Sequence, residues 1–386
     1  MSIRVGIVGV GNCASALIQG VNHYRDQDSA EIPGVMHAII GGYKIKDIEF
    51  VAAFDIDKRK VGLPLREAMF AKPNCCRTFC TDIKDNCHVR RGAQLDGISD
   101  HMIGYHEDIN FDPVPPNPML TLDDIRNGTI RVLREERVDV LLNYLPVGSQ
   151  EATEFYANCA IAAGVPFLNC IPVFIASNPY WEKKFIDANL PLIGDDMKSQ
   201  VGASILSQVF QELLFDRGHE VDFHSQLNVG GNTDFANMMN ADRLASKKIS
   251  KENVIRCQND IRGIPVPKDG IFAGPSSFIP YQKDNKVAHF RIEARGFGGA
   301  PVMIDARLSV QDSENSAGVV IDALRYLKVA HEMGIVGSLR GPSAWTQKSP
   351  VEQLTYQEAK MECDALARRE LTDRTRAQVS FKQPGD

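Results

Sequence analysis

Ile3-Arg4-Val5-Gly6-Ile7-Val8-Gly9-Val10-Gly11-Asn12-Cys13-Ala14-Ser15 is the stretch that decides the fold. A short apolar run ends in Gly-x-Gly-x-x-Ala and passes directly into a helical pattern. That order is the strand–turn–helix opening of a dinucleotide-binding unit. Gly9 permits the tight turn, Gly11 lets backbone approach a pyrophosphate, and Ala14 is small enough for the helix to pack on the strand. The anion would rest on the free N–H groups of the first helical turn. Asn12 and Cys13, in that turn, complete this part of the expected cofactor site. A tight βα turn with no nucleotide would read the same way, so the motif needs its surroundings.

Outward from it, Ile3 to Val8 reads as strand and Ala14 to Tyr24 as helix, with Ala16, Leu17 and Val21 inward. The loop from about Asp26 to Lys46 is long for a βα unit. Phe50-Val51-Ala52-Ala53-Phe54 is the second strand. Asp55, at its end, is placed to hydrogen-bond the ribose hydroxyls of NAD; a helix N-cap is the other reading of it. Lys58, Arg59 and Lys60 follow closely and leave NADP open. Leu122 to Arg137 is a helix, and Val138 to Leu145 is a buried strand broken by Pro146. Gln150 to Ala163 is a helix closed by Gly164; Val165 to Ile171 and Leu190 to Gly194 are further strands. Strands spaced by helices give an α/β fold with a parallel, doubly wound, Rossmann-type sheet.

Beyond residue 200 the period changes to two. Val221, Phe223, Ser225, Leu227 and Val229 alternate with mostly polar residues, as do Ala288 to Ala294 and Val302 to Val310. This predicts a second α+β domain with a mainly antiparallel sheet, one face covered. His224 falls on the polar, outward face of that pattern. The expected organisation is 1–200 as the cofactor domain and 201–315 as the catalytic and oligomerisation domain. Residues 316–371 form a helical segment returning to the first domain, and 372–386 a disordered tail. The helix from Ser316 to Glu332 is apolar on one face (Val319, Val320, Ala323, Leu324, Leu327).

Composition narrows the class. The chain has 386 residues, 44% hydrophobic and 24% charged, with net charge −6. The acidic balance carries no nucleic-acid footprint, no apolar run is long enough to span a bilayer, and no secretory h-region opens the chain. The nine cysteines then read as reduced thiols of a cytoplasmic protein. Cys75, Cys76, Cys80 and Cys87, beside His88, lack the paired spacing of a zinc site and read as loop and core thiols.

Four segments combine glycine, carboxylate, amide and lysine near strand ends. They are Gly194-Asp195-Asp196-Met197-Lys198-Ser199, Asn228-Val229-Gly230-Gly231-Asn232-Thr233-Asp234, Ser246-Lys247-Lys248-Ile249-Ser250-Lys251 and Asp284-Asn285-Lys286-Val287. Asp312-Ser313-Glu314-Asn315-Ser316 closes the domain. Each alone suits a solvated face or a helix cap. Together they suit a polar, anionic substrate: lysines hold phosphate, stabilise a developing enolate or alkoxide, or act as bases when burial lowers their pKa. The nine histidines form no catalytic motif. The residues therefore describe an NAD enzyme acting through lysines on a phosphorylated polyol or sugar.

At these segments, together with Gly9–Ser15, Phe50–Asp55, Asn143-Tyr144-Leu145-Pro146-Val147-Gly148-Ser149 and Asp312–Gly318, the chain resembles the inositol-1-phosphate synthases (myo-inositol-3-phosphate synthases) in their short bacterial and archaeal form. The segments run in order over nearly the whole chain. The resemblance implies conversion of D-glucose 6-phosphate to myo-inositol 1(3)-phosphate, the first step of inositol and phosphatidylinositol biosynthesis. C5 is oxidised by NAD⁺, C6 is enolised, the enolate closes on the C1 aldehyde, and C5 is reduced again by the same NADH. It implies Lys198 and Lys286 in proton transfer and oxyanion stabilisation, Lys247 and Lys251 as phosphate or structural residues, and Asp196 and Asp234 as orienting groups. It adds Asn143, Pro146 and Asp195 to the cofactor set, and Asp312 with Asp195 as holders of a divalent metal cation. A homotetramer is implied as well. Two departures stand out: the long eukaryotic forms carry extra lysines where this chain has Gln200-Val201-Gly202-Ala203 and Asn240-Ala241-Asp242-Arg243. The rival readings are a conventional NAD(P)-dependent dehydrogenase of a sugar or an amino-acid-derived alcohol, and a non-catalytic NAD-binding sensor.

Overall fold

The computed structural model describes residues 2–27, 32–85 and 87–370; the expected disordered tail, 372–386, lies outside them. Among the described residues there are eleven strands: β1 (Ile3–Val8), β2 (Ile48–Asp55), β3 (Val89–Arg91), β4 (Val140–Asn143), β5 (Phe167–Asn169), β6 (Pro191–Ile193), β7 (Glu220–Gly230), β8 (Ile271–Phe278), β9 (Asn285–Arg295), β10 (Pro301–Gln311) and β11 (Gly337–Ser338). The helices are α1 (Asn12–His23), α2 (Leu65–Ala68), α3 (Leu122–Glu135), α4 (Gln150–Ala163), α5 (Pro179–Asp187), α6 (Ala203–Asp216), α7 (Thr233–Asn237), α8 (Ala241–Arg262), α9 (Asp312–Glu332), α10 (Arg340–Thr346) and α11 (Tyr356–Ala367).

The first sheet is ordered β11-β6-β5-β4-β1-β2-β3, and every pair in it is parallel. Its central strands β1, β4 and β5 are buried on both faces, as their continuous apolar runs require. One face packs on α1 and α9 through Leu17, Val21, Val320, Leu324 and Leu327. The other packs on α3, α4 and α5 through Leu133, Phe155, Tyr156 and Phe185. The sheet is doubly wound. The chain order reverses between β1 and β4, and a ligand crevice opens beyond the strand C-termini at such a switch point.

The long loop before β2 is not idle chain. Ile40, Tyr43 and Ile45 are buried in the core. Arg325 of α9, fully buried, donates to the carbonyls of His37, Ala38 and Tyr43 and to Asp322. A buried guanidinium is tolerable only when paired and hydrogen-bonded in this way.

The second sheet runs β10-β9-β7-β8. Its β7–β9 and β9–β10 pairs are antiparallel, and β7–β8 is parallel. The alternating segments give β7, β9 and β10; β8 was not foreseen. Gly274 and Pro275 interrupt its apolar pattern, and proline is acceptable there because β8 is an edge strand. Helix α9 starts at Asp312, four residues before the expected Ser316.

One expectation is overturned. On β7 the polar face is the covered one: His224, Gln226 and Asn228 are buried, while Leu227 is 40% exposed. The cover decides this. It presents polar groups from α6 and α8, Ser207, Gln211 and Asn259, which hydrogen-bond to the strand or to one another. Buried polar atoms are acceptable when so satisfied. His224 is therefore interior, and burial pushes its pKa down to about 4.

Candidate active site

The glycine turn has the backbone geometry its sequence predicts. Gly9 has φ +89, and a Cβ there would lie 2.6 Å from the Tyr144 carbonyl oxygen, so only glycine fits between β1 and β4. Gly11 is the N-cap of α1, and a Cβ built on it meets nothing within 4 Å. The space in front of that helix end is open. Asp55 closes β2 and braces the turn: its carboxylate accepts from the N–H of Val10 (2.7 Å), Ile56 (2.7 Å) and Asp57 (2.9 Å). A carboxylate has about four lone-pair sites, so capacity for a ribose hydroxyl remains.

These groups form one end of a cleft of about 210 Å³. Gly9, Gly11, Asn12, Cys13, Ala14, Asp55 and Pro146 all reach its wall. Ile98, Phe111 and Tyr156 add an apolar slot beside Asp55. Arg59 is tied to Asp57 and to two carbonyls of the 107–110 loop. Lys60 is buried at the cleft wall and donates to the Val10 carbonyl at 2.7 Å; burial depresses its pKa.

The second sheet and its helices supply the rest of the wall. Lys286, at the start of β9, forms an ion pair with Asp312, the first residue of α9. Both line the cleft, as do Asp234 on α7 and Lys251 on α8. Asp284 is buried just behind. It accepts from the Ser313 N–H (3.0 Å) and hydroxyl (2.8 Å), and burial, with Asp312 nearby, pushes it up to about 6. Cys13 is held protonated: burial and the carboxylates of Asp312, Asp284 and Asp234 push its thiol up to about 12. The N-terminus of α6, capped by Gly202, faces the same space through Gly202, Ala203 and Ser204.

Four expected site residues are not at the cleft wall. Asn143 is buried beneath it in an amide network with Asn169 and Thr153. Asp195 is enclosed by the 169–177 region, accepting from Asn169, from the N–H groups of Ile175, Ala176 and Ser177, and from the Ser177 hydroxyl. It therefore does not share a cation site with Asp312. Among the described residues no three His, Cys, Asp or Glu side chains converge as a metal shell. Asp196 accepts from Ser250 and from Lys348, both at 2.8 Å. Lys198 turns behind the wall that its neighbours Met197 and Ser199 form, and donates to the Ala344 carbonyl at 2.7 Å. The side chain of Lys247 lies outside the described residues.

Burial lowers the Lys198 pKa to about 8. Below that pH the folded chain carries the full cost of a buried ammonium. Between about 8 and 10.5 the unfolded chain binds more protons, so stability rises with pH. Wild type should therefore gain on Lys198→Met across this window by up to about 3 kcal/mol. Thermal denaturation of both proteins from pH 7 to 10.5 checks this; a constant difference would mean that Lys198 is not buried as an amine.

Sequence reading missed three groups at the cleft. Lys348, after α10, reaches the wall while donating to Asp196 and to the Met197 carbonyl. Asn237 on α7 and Tyr144 after β4 also line it, and the Asn237 Oδ1 and the Tyr144 hydroxyl are buried with no hydrogen-bond partner. Orphan polar atoms at a cleft wall suit a bound polar ligand. With the open helix end and Asp55, they fit a dinucleotide.

Comparison with known proteins agrees with this geometry. The family profile of myo-inositol-1-phosphate synthase matches residues 202–313, the segment holding Asp234, Lys251, Lys286 and Asp312. Inositol-3-phosphate synthase of Mycolicibacterium smegmatis is 46% identical over 94% of this chain and 97% of its own. That of Corynebacterium glutamicum is 44% identical over 95% and 98%. The crystal structure of a myo-inositol-1-phosphate synthase-related protein from Thermotoga maritima superposes with TM-score 0.81 over 96% of this chain and all of its own, at 23% identity, and so shares the fold. At such identity over nearly the whole length, this chain belongs to the inositol-3-phosphate synthase family.

Proposed function

We propose that this enzyme converts D-glucose 6-phosphate to myo-inositol 1(3)-phosphate with NAD retained through the cycle. The observation that carries the reading is one cleft that joins a dinucleotide turn to three lysines, Lys251, Lys286 and Lys348. Gly9, Gly11, Asn12, Cys13, Ala14, Asp55 and Pro146 would hold NAD, which would supply a hydride acceptor for C5 and, once reduced, the hydride donor that restores it. Tyr144 and Asn237 offer it a hydroxyl and an amide oxygen. The phosphate rests on the N-terminus of α6 with Lys251, where helix dipole and ammonium add. Lys286, its ammonium held by Asp312, stabilises negative charge on the oxygen at C5 while the substrate's own phosphate dianion takes the C6 proton. The C6–C1 bond then forms, and the aldehyde oxygen takes that proton to become a hydroxyl. Lys348, oriented by Asp196, supplies a second cation beside the reacting oxygens, and Asp234 orients substrate. Asp195 is enclosed by its own donors and Asp312 holds Lys286, so neither is assigned a divalent cation.

The chain divides its work accordingly: 1–200 for cofactor, 201–315 for substrate and assembly, 316–371 to close the first domain. The uncovered face of the second sheet carries Leu227, Phe272 and Met303, 40%, 42% and 56% exposed; this face is our candidate for contact between copies in a homotetramer. No helix is long and apolar enough to cross a membrane among the described residues, and all nine cysteines are free thiols, which suits the cytoplasm.

The test is to incubate purified protein with glucose 6-phosphate and catalytic NAD⁺, following inositol phosphate by NMR and NADH by absorbance. Inositol phosphate forms without NADH accumulation on this reading. NADH building up with an oxidised sugar would make the enzyme a conventional dehydrogenase.

A further inference from the structure

The turn after β2 holds three cations in a row, Lys58, Arg59 and Lys60. In this fold an arginine near the end of the second strand accommodates the 2′-phosphate of NADP. Here each cation already has a partner. The Arg59 guanidinium donates from Nε and Nη2 to the two oxygens of Asp57, at 2.8 and 2.5 Å. From Nη1 and Nη2 it donates to the carbonyls of Glu107 (2.8 Å) and Asn110 (2.7 Å). Four hydrogen bonds thus draw on its five N–H groups. Lys60 turns inward to the Val10 carbonyl, and Lys58 pairs with Asp112 at 2.8 Å.

Asp57 arranges two of these three pairings. It is buried, and besides the Arg59 side chain its carboxylate accepts from the N–H of Arg59 (2.9 Å) and of Asp112 (3.0 Å). It therefore fixes Arg59 and also seats Asp112, the partner of Lys58. A two-pronged carboxylate–guanidinium pair fixes geometry as well as charge, and breaking it would leave Asp57 buried without its counter-ion. The location gives the pair a consequence. Asp55, Ile56 and Lys60 line the cleft, as does Phe111, the neighbour of Asn110; Arg59 and Asp57 are not among the lining residues. The pair stands behind the wall beside Asp55. A 2′-phosphate there would meet the Asp55 carboxylate, with the three cations of the turn already engaged.

We propose that Asp57 is a specificity-determining residue, which selects NAD over NADP by holding Arg59 away from the ribose of the bound dinucleotide. This rests on the reading above that the glycine turn and Asp55 take a dinucleotide.

The test measures NAD and NADP affinity, without substrate, by calorimetry and by the rise in melting temperature. The proteins are wild type, Asp57→Asn, Asp57→Ala, Arg59→Ala and the double variant Asp57→Asn/Arg59→Ala. Asp57→Asn keeps the volume and exchanges one acceptor oxygen for a donor; Asp57→Ala stands in should it fail to fold. Wild type is expected to bind NADP at least about tenfold more weakly than NAD, and Asp57→Asn to tighten NADP about tenfold to a hundredfold, the span of one charge-assisted hydrogen bond. NAD affinity stays as in wild type. Arg59→Ala alone changes neither affinity, and in the double variant the NADP gain is lost, because the released guanidinium makes it. Equal weakening of both dinucleotides in the Asp57 variants would overturn the proposal, since a merely structural carboxylate would do that. A wild type that binds NADP as tightly as NAD would overturn it too, as would a gain that survives Arg59→Ala. A wild type whose melting temperature NAD does not raise would instead refute the dinucleotide reading, and this proposal with it.

Discussion

Lys286→Ala is expected to lower turnover at least about a hundredfold while NAD binds as in wild type; that factor is about 2.7 kcal/mol of transition-state stabilisation. The position explains both halves. Lys286 stands on β9 and pairs with Asp312, whereas a pyrophosphate at the Gly9–Gly11 turn would rest on backbone N–H groups, so the substitution removes none of the groups that would hold it. What is lost is the cation next to the reacting oxygens. The loss is compounded by what remains. Asp312 gives up its ion-pair partner and is left beside Asp284, whose carboxyl burial and Asp312 already push up to about 6. A site built to stabilise an enolate would then present uncompensated negative charge to it, the reverse of what the reaction requires. Steady-state kinetics with an NAD titration separates the two effects. Near-normal kcat would remove Lys286 from the chemistry and leave Lys251 and Lys348 as the acting cations.

The contrast with Lys198 shows how far sequence can be read. Gly194–Ser199 marks a loop that does reach the cleft, because a glycine-carboxylate cluster between β6 and a helix is a local signal. The direction of each side chain is not local. Met197 and Ser199 reach the cleft, and Lys198 between them turns to the Ala344 carbonyl, 146 residues on. The lysine that does reach the wall beside Asp196 is Lys348, 152 residues from its partner, and no spacing rule connects them. Elements defined by near neighbours were legible: α4 runs from Gln150 to Ala163 as predicted and ends on Gly164 at φ +76. Period two on β7 located the strand but placed its polar face outward, and the polar groups of α6 and α8, remote in sequence, bury that face instead. The buried His224 was unreadable for the same reason.

Gly11→Val and Gly9→Ala should fail in different ways, and the difference tests the cofactor site without any substrate. A side chain on Gly9 meets the Tyr144 carbonyl at 2.6 Å from a backbone at φ +89. The β1–β4 junction must move, and the protein should melt well below wild type. Gly11 has φ −101, which any residue adopts, and a Cβ there has nothing within 4 Å. Gly11→Val should therefore fold with an unchanged melting temperature in the absence of NAD. The room its methyl groups take is the room in front of the first turn of α1, where the pyrophosphate must approach the backbone. NAD affinity should fall at least about a hundredfold, or about 2.7 kcal/mol. Ligand stabilisation reports this directly: wild type gains melting temperature on adding NAD by mass action, and Gly11→Val should gain almost none at the same concentration. If Gly11→Val were stabilised by NAD as strongly as wild type, the dinucleotide would not lie across this helix end. The assignment of Asp55 to it would then fall as well, since Asp55 braces that same turn.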